Sequence, residues 1–139
     1  MSSADLDEVL AIEHLCFTHP FSRSLFESEL NQPAATILVA RERGCLVGYI
    51  DFWQVVDEIH LINIAVHPDY QRKGIASLLF ERMQEEVPQA QSIYLEVRIS
   101  NEGAKKFYEK MGFQAIGIRK GYYPDGEDAY VLSSQTTAF

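Results

Sequence analysis

"EIHLINIAVHPDYQRKGIASLLFERMQEE", residues 58–86, changes its hydrophobic period partway along. Ile59 to Val66 is an apolar run that reads as a strand with apolar residues on both faces, which suits a central strand covered on both sides. From Ile75 onward the spacing is helical, and Ile75, Leu78, Leu79 and Met83 are predicted to form the apolar stripe of a helix that stops near Pro88. "SIYLEVRI", residues 92–99, is the next strand. The helix between them makes a strand, helix, strand crossover, so the two strands should be parallel. In the connecting loop the adjacent cations Arg72 and Lys73 precede Gly74, which opens the helix. A helix's first turn leaves backbone N–H groups without partners and carries the positive end of the dipole, so the loop suits an anion; a solvated turn is the plainer alternative.

Working outward, "TILVARE" (36–42) and "CLVGYIDFWQVV" (45–56) form a hairpin across Arg43-Gly44. Upstream, residues 5–15 put Leu6, Val9, Leu10, Ile12 and Leu15 near one helical face, and Ser22 caps a second helix through about Leu30. The aromatic loop "CFTHPF" joins them. Downstream, Ser100 or Asn101 caps a helix through "EGAKKFYEKM", which Gly112 ends. "FQAIGIR" and "EDAYVLSS" close the chain as an antiparallel pair, with "SQTTAF" a fraying tail. The layout is mixed α/β with a single parallel pair at its centre.

A chain of 139 residues, 47% hydrophobic, has the length of one domain, here 1–139. No apolar run approaches the roughly 20 residues of a membrane span. The acidic start "MSSADLDEVL" lacks the features of a secretory signal, which points to the cytoplasm. Cys16 and Cys45 are far apart and read as two buried thiols, and His14, His19, His60 and His67 show no metal-ligand spacing. Twenty acidic against twelve basic residues, a formal net charge of -8, argue against nucleic acid and favour a basic peptide or amine.

In an open sheet, ligands bind beyond the carboxyl ends of parallel strands, here Val66 with the Gln71 to Ala76 loop, and Glu96 to Arg98. The loop lacks the P-loop and dinucleotide fingerprints. "QRKGIA" after "NIAVHPDY" does resemble the pyrophosphate-binding motif of the GCN5-related N-acetyltransferases (GNAT). The resemblance continues through "LEVRISNEGAKKFYEKMGF" and "GIRKGYYPDGEDAYVL", the last being similar to the end of RimI-type protein N-terminal acetyltransferases, which acetylate the N-terminal alanine of small-ribosomal-subunit protein eighteen. It spans most of Glu58 to Leu132; residues 1–57 fit in outline.

The resemblance implies a GNAT fold, a mostly antiparallel sheet whose one parallel pair splays to admit acetyl-CoA, with no metal. The pyrophosphate would lie on the amides of Gln71, Arg72, Lys73, Gly74, Ile75 and Ala76. The pantetheine arm would pair with the strand end at Ile64, Ala65 and Val66, and the Val66 N–H would polarise the thioester carbonyl. Glu96 aligns with the family's general base and Tyr108 with its general acid, the phenol reaching the CoA sulfur. As plain residues, Glu96 would pair with Arg98 or a neighbour, and Tyr108 would pack on Phe107 and Phe113, with Phe107 the core member. Asn101 would both cap its helix and bond the pantetheine, while Arg72, Lys105 and Lys106 could meet the 3′-phosphate. Peptide recognition would fall to Phe21 in the aromatic loop, Asn63, and Tyr122 and Tyr123, with Asp128 or Glu58 meeting a basic group. Pro124, Asp125 and Gly126 make a turn in either case.

The family pattern opens with a strand about ten residues before the stretch equivalent to "ADLDEV". Only Met1 to Ser3 stand there, so that strand is expected to be absent or to lie upstream. The competing expectations are acetylation of a small amine or a lysine side chain, and a non-catalytic acyl-CoA-binding module. Cys16 and Cys45 lie outside the matching blocks, which disfavours a cysteine-bound intermediate.

Overall fold

The computed structural model describes residues 1–135. Ser134 and Gln135, expected in a tail, belong to the last strand, and the rest of that tail, 136–139, lies outside the described residues. Helices α1 (Leu6–Cys16) and α2 (Arg23–Leu30) precede a run of three strands, β1 (Ala35–Glu42), β2 (Cys45–Val55) and β3 (Glu58–Val66). Then follow α3 (Ile75–Glu86), β4 (Ser92–Arg98), α4 (Glu102–Lys110), β5 (Gln114–Arg119) and β6 (Ala129–Gln135). Among the described residues the sheet opens on β1, with only a short 3-10 turn, Ser3–Asp5, before α1.

The six strands lie in the order β1-β2-β3-β4-β6-β5, and every neighbouring pair is antiparallel except β3 with β4. That pair is brief: Glu58, Ile59 and His60 register with Ser92, Ile93 and Tyr94, and then the strands part. The cause lies on the other side of β3. Its register with β2 jumps from Asp51↔Asn63 to Phe52↔Leu61, leaving Ile62 as an extra residue. Such a bulge bends the strand that carries it. β4, held along its whole length by β6, does not follow, and a gap opens between the carboxyl ends of β3 and β4.

Alternation along the strands gives each face its own core. On one face Phe52, Ile59, Leu61, Ile93, Leu95 and Val97 pack with Leu79, Phe80 and Met83 of α3 and are joined by Tyr108 and Met111 at the end of α4. On the other, Ile37, Tyr49 and Ala65 pack with Val9, Ile12 and Phe26 of α1 and α2. Complete burial of residues such as Phe52 and Leu95 stabilises by about 1.5–3 kcal/mol each, so the sheet is anchored from both sides. Ser22 caps α2 through its Oγ, which accepts the Leu25 N–H at 3.2 Å.

Three expectations need correction. Leu78 is 54% exposed and Phe80 takes its place, because the buried stripe of α3 is rotated by about one residue. Leu15, at the last turn of α1, is 59% exposed. Cys45 is exposed and Cys16 half-buried, so the thiols are not both interior. No described helix is long and apolar enough to cross a membrane.

Candidate active site

Gln71–Ala76 folds as a cradle because two residues take left-handed backbone. Arg72 has φ 63° and Gly74 φ 81°, which turns the N–H groups of the loop and of the first turn of α3 toward a common concavity. Gln71 ties the loop to the strand before it, its Nε2 donating to the Val66 carbonyl at 3.1 Å. The concavity is one end of a cleft of about 720 Å³, within the roughly 300–1,000 Å³ of small-molecule and cofactor sites. Its walls are the end of β3 (Ile64, Ala65, Val66), the loop and start of α3 (Gln71, Arg72, Gly74, Ile75, Ala76) and one side of α4 (Asn101, Ala104, Phe107, Tyr108). Lys106, Arg72 and Lys110 line the wall; Lys105 sits 4.7 Å over the Tyr130 ring, and Lys73 5.2 Å over Tyr70.

No atom lies within 4 Å of where a Cβ on Gly74 would stand, so only its φ demands glycine. Gly74→Ala should leave the fold intact and weaken CoA binding by about tenfold, since an L-residue there costs roughly 1–2 kcal/mol; calorimetric titration checks this.

The gap exposes backbone. His67 N–H donates to the Val47 carbonyl at 2.8 Å, which makes Gly48↔Val66 a non-hydrogen-bonded pair of the β2–β3 ladder. The Val66 N–H therefore points away from β2, and β4 has already left. Ile64 faces the same way by alternation, but its N–H is taken by Asn63 Oδ1 at 3.0 Å. The Val66 carbonyl is occupied by Gln71 and, at 3.4 Å, by the Cys16 thiol, whose pKa burial pushes up.

Glu96 stands on the α1/α2 face of β4, with a side chain only 7% exposed. It pairs not with Arg98 but with His60 and Arg119. His60 Nε2 lies 2.7 Å from Glu96 Oε2, and Arg119 Nε 3.3 Å from Oε1. The imidazole is stacked on Tyr94, ring centroids 4.4 Å apart and 8° from parallel, so one of the two groups that hold the carboxylate is itself fixed. His60 and Arg119 escaped the sequence reading. His60 faces away from buried Ile59 and Leu61, which alternation alone could have shown; its partner, two strand positions beyond Tyr94, needed the register.

Phe107 is not the core member it was expected to be. Phe107 is 37% exposed on the cleft wall, whereas Tyr108 is half-buried, edge-on to Phe113, and still lines the cleft. Burial drives its phenol pKa far up, so it keeps its proton throughout the neutral range. Asn101 caps α4, its Oδ1 accepting the Ala104 N–H at 3.1 Å, and lines the cleft as well.

The remaining candidates divide. Tyr122 and Tyr123 meet edge-on, centroids 5.1 Å apart, in the β5–β6 loop. Burial raises both phenols, that of Tyr123 to about 12, and the negative charge of Glu96 helps to raise that of Tyr122. Asp128 Oδ1 accepts the Gly121 N–H at 2.8 Å and so holds that loop. Asn63 is taken up internally: its Nδ2 donates to Glu13 Oε1 at 2.9 Å and to the Tyr49 hydroxyl at 2.8 Å, while Tyr49 also donates to Glu13. Phe21 packs on Phe26 and gives its N–H to Glu13 Oε2 at 2.8 Å. Glu58 is exposed at the amino end of β3, two residues from His60 on the same face. Among the described residues no three His, Cys, Asp or Glu side chains are grouped to hold a metal.

The family model of the acetyltransferase (GNAT) family matches residues 6–113. A Bacillus subtilis (strain 168) protein, whose provisional name is [ribosomal protein bS18]-alanine N-acetyltransferase, is 40% identical over 95% of this chain and 90% of its own. An N-alpha-acetyltransferase of Saccharolobus solfataricus is 34% identical over 93% of this chain and 86% of its own. The crystal structure of the ribosomal-protein-S18-alanine N-acetyltransferase from Escherichia coli superposes with a TM-score of 0.83 at 33% identity, covering 100% of this chain and 92% of that one.

Proposed function

Since the chain belongs to the GNAT acetyltransferase family, we propose that it transfers an acetyl group from acetyl-CoA to the α-amino group of a protein N-terminus, with residues 1–139 acting as one domain. The acceptor suggested by the names of its relatives is the N-terminal alanine of ribosomal protein bS18. A basic ribosomal protein also suits a chain of formal net charge -8.

One observation carries this reading: a coenzyme-sized cleft with Tyr108 in its wall lies beside the end of β3, where that strand has parted from β4, and Glu96 is held on β4 itself. The cleft fits the group. Its cradle of N–H groups suits a diphosphate, and the open edge of β3 suits an extended amide-bearing arm. When bound, acetyl-CoA supplies an acetyl thioester. Gln71 through Ala76 would hold the phosphates, and Ile64 to Val66 with Asn101 the arm. The Val66 N–H would accept negative charge developing on the carbonyl oxygen. An α-amine has a pKa of about 7.7–8, so much of it arrives protonated, and it must lose a further proton on becoming an amide. Glu96 takes that proton, directly or through one water, while His60 and Arg119 fix its orientation. Tyr108 gives a proton to the departing sulfur.

Mass spectrometry of reactions with peptides bearing free or blocked α-amines tests the assignment. Acetate on the free α-amine alone supports it; acetate on lysine alone defeats it. Tyr108→Phe should retain CoA affinity and lose about 10²-fold in kcat, measured by thiol release; full turnover would remove Tyr108 from the acid role.

A further inference from the structure

Arg98 ends β4 with its guanidinium closed in. Its side chain is 15% exposed, and Nη1 donates to Asp125 Oδ2 and to Glu127 Oε1, each at 2.8 Å. The flat face of the guanidinium lies over the Tyr123 ring, 4.1 Å from its centroid. All three partners belong to the β5–β6 loop. The loop is also tied at other points. Glu127 Oε2 accepts the Ser100 N–H at 2.9 Å, and Gly126 N–H donates to the Tyr123 carbonyl at 2.8 Å, closing the turn around Pro124.

The position of Arg98 matters as much as its partners. Tyr94, Glu96 and Arg98 alternate onto one face of β4, so Glu96 and Arg98 are separated by one strand repeat, roughly 6.6–6.8 Å. A loop fastened to Arg98 is thereby fastened at a fixed distance from Glu96. The same loop carries Tyr122 and Tyr123, which meet edge-on beside the Arg98 guanidinium. Two carboxylates on one nitrogen and an aromatic ring against the guanidinium carbon fix the cation's position, and the ring contact suits a planar guanidinium better than an ammonium.

We propose that Arg98 is a positioning residue that preforms the acceptor side of the site by locking the Tyr122–Tyr123 loop in register with Glu96, and so governs acceptor binding and not coenzyme binding. The inference rests on the reading that this loop lines the acceptor groove. Arg98→Lys keeps one positive charge but, with a shorter reach and no planar group over Tyr123, loosens these contacts. It should raise the acceptor-peptide KM at least tenfold, leave the CoA Kd by calorimetry within twofold, and speed amide hydrogen exchange across residues 120–128. Asp125→Asn removes one partner from an exposed position without stranding a buried cation; it should raise the same KM about threefold and leave CoA binding unchanged. A purely structural role for Arg98 would damage both substrates alike. An acceptor KM unchanged in both variants, or a loss of CoA affinity matching the loss for the peptide, overturns the proposal. Should the wild-type protein acetylate only lysine side chains, the N-terminal reading fails, and the same KM split on a lysine peptide still decides the role of Arg98.

Discussion

Replacing Glu96 with glutamine should lower kcat/KM for an acceptor peptide by about 10²–10⁴-fold, the range of a positioned general base, while CoA affinity stays within twofold. The substitution preserves shape. The glutamine amide can donate to His60 in the other tautomer, so the contact at 2.7 Å survives in kind, while the ion pair with Arg119 at 3.3 Å loses its negative partner. What is lost is the capacity to take a proton. A variant that folds, binds CoA and fails to turn over therefore isolates the proton-transfer role. If the glutamine enzyme matches wild type at pH 7, Glu96 is a structural partner of His60 and Arg119, and the base lies elsewhere.

Asp51→Asn should stabilise the protein, and by an amount that grows with pH. Asp51 is fully buried on β2, and neither carboxyl oxygen has a hydrogen-bond donor among the described residues. Its neighbour is Glu29, itself 8% exposed, whose Oε2 already accepts the Trp53 indole N–H at 2.8 Å. Two buried carboxyls can touch favourably only with a proton between them. Burial first, and the charge of Glu29 second, raise Asp51 from its ordinary 3.8 to about 8. Between those two values the unfolded chain has released the proton and the folded one retains it. Stability therefore falls by about 1.4 kcal/mol per pH unit from near pH 4 and levels off above about 8. Asparagine offers Glu29 a permanent N–H donor and abolishes that slope. Its other polar atoms remain unpaired, which subtracts about 1–3 kcal/mol at every pH. The sharper expectation is thus the widening gap: urea midpoints at pH 5, 6.5 and 8 should separate progressively in favour of the variant. Parallel midpoints would show that Asp51 is not protonated in the native state.

How much of this was legible in the sequence depended on the range of the interaction responsible. The crossover was readable because its signals are local: the switch of period at Ile75, the glycine before it, and the caps at Ser22 and Asn101. The motif loop and the helix start at Gly74 were readable for the same reason, whereas the left-handed backbone of Gly74 was not. The splay of β3 from β4 was expected from the family pattern, but its origin, the extra residue at Ile62, has no sequence signature. His60 and Arg119 could not be singled out as the neighbours of Glu96 while Arg98 stood two positions from it in the sequence. Strand alternation puts Glu96 and Arg98 on one face, and the β5–β6 loop then claims Arg98 while β5 supplies Arg119 from 23 positions away. Asp51 drew no notice at all, since a single acid in an apolar strand gains meaning only when Glu29 of α2 is packed over it. Phe107 and Tyr108 are adjacent on α4, and which one turns inward is decided by Phe80 and Phe113, not by hydrophobicity.

The most direct test is a crystal structure with a CoA–peptide conjugate in which the acetyl carbon is already joined to the peptide's α-nitrogen. Its diphosphate should lie on the Gln71–Ala76 amides, its arm along Ile64–Val66, and its α-nitrogen within hydrogen-bond reach of Glu96, directly or through one water. A conjugate whose peptide leaves on the α4 side, or a β3–β4 gap closed by side chains with the ligand bound elsewhere, would contradict the account.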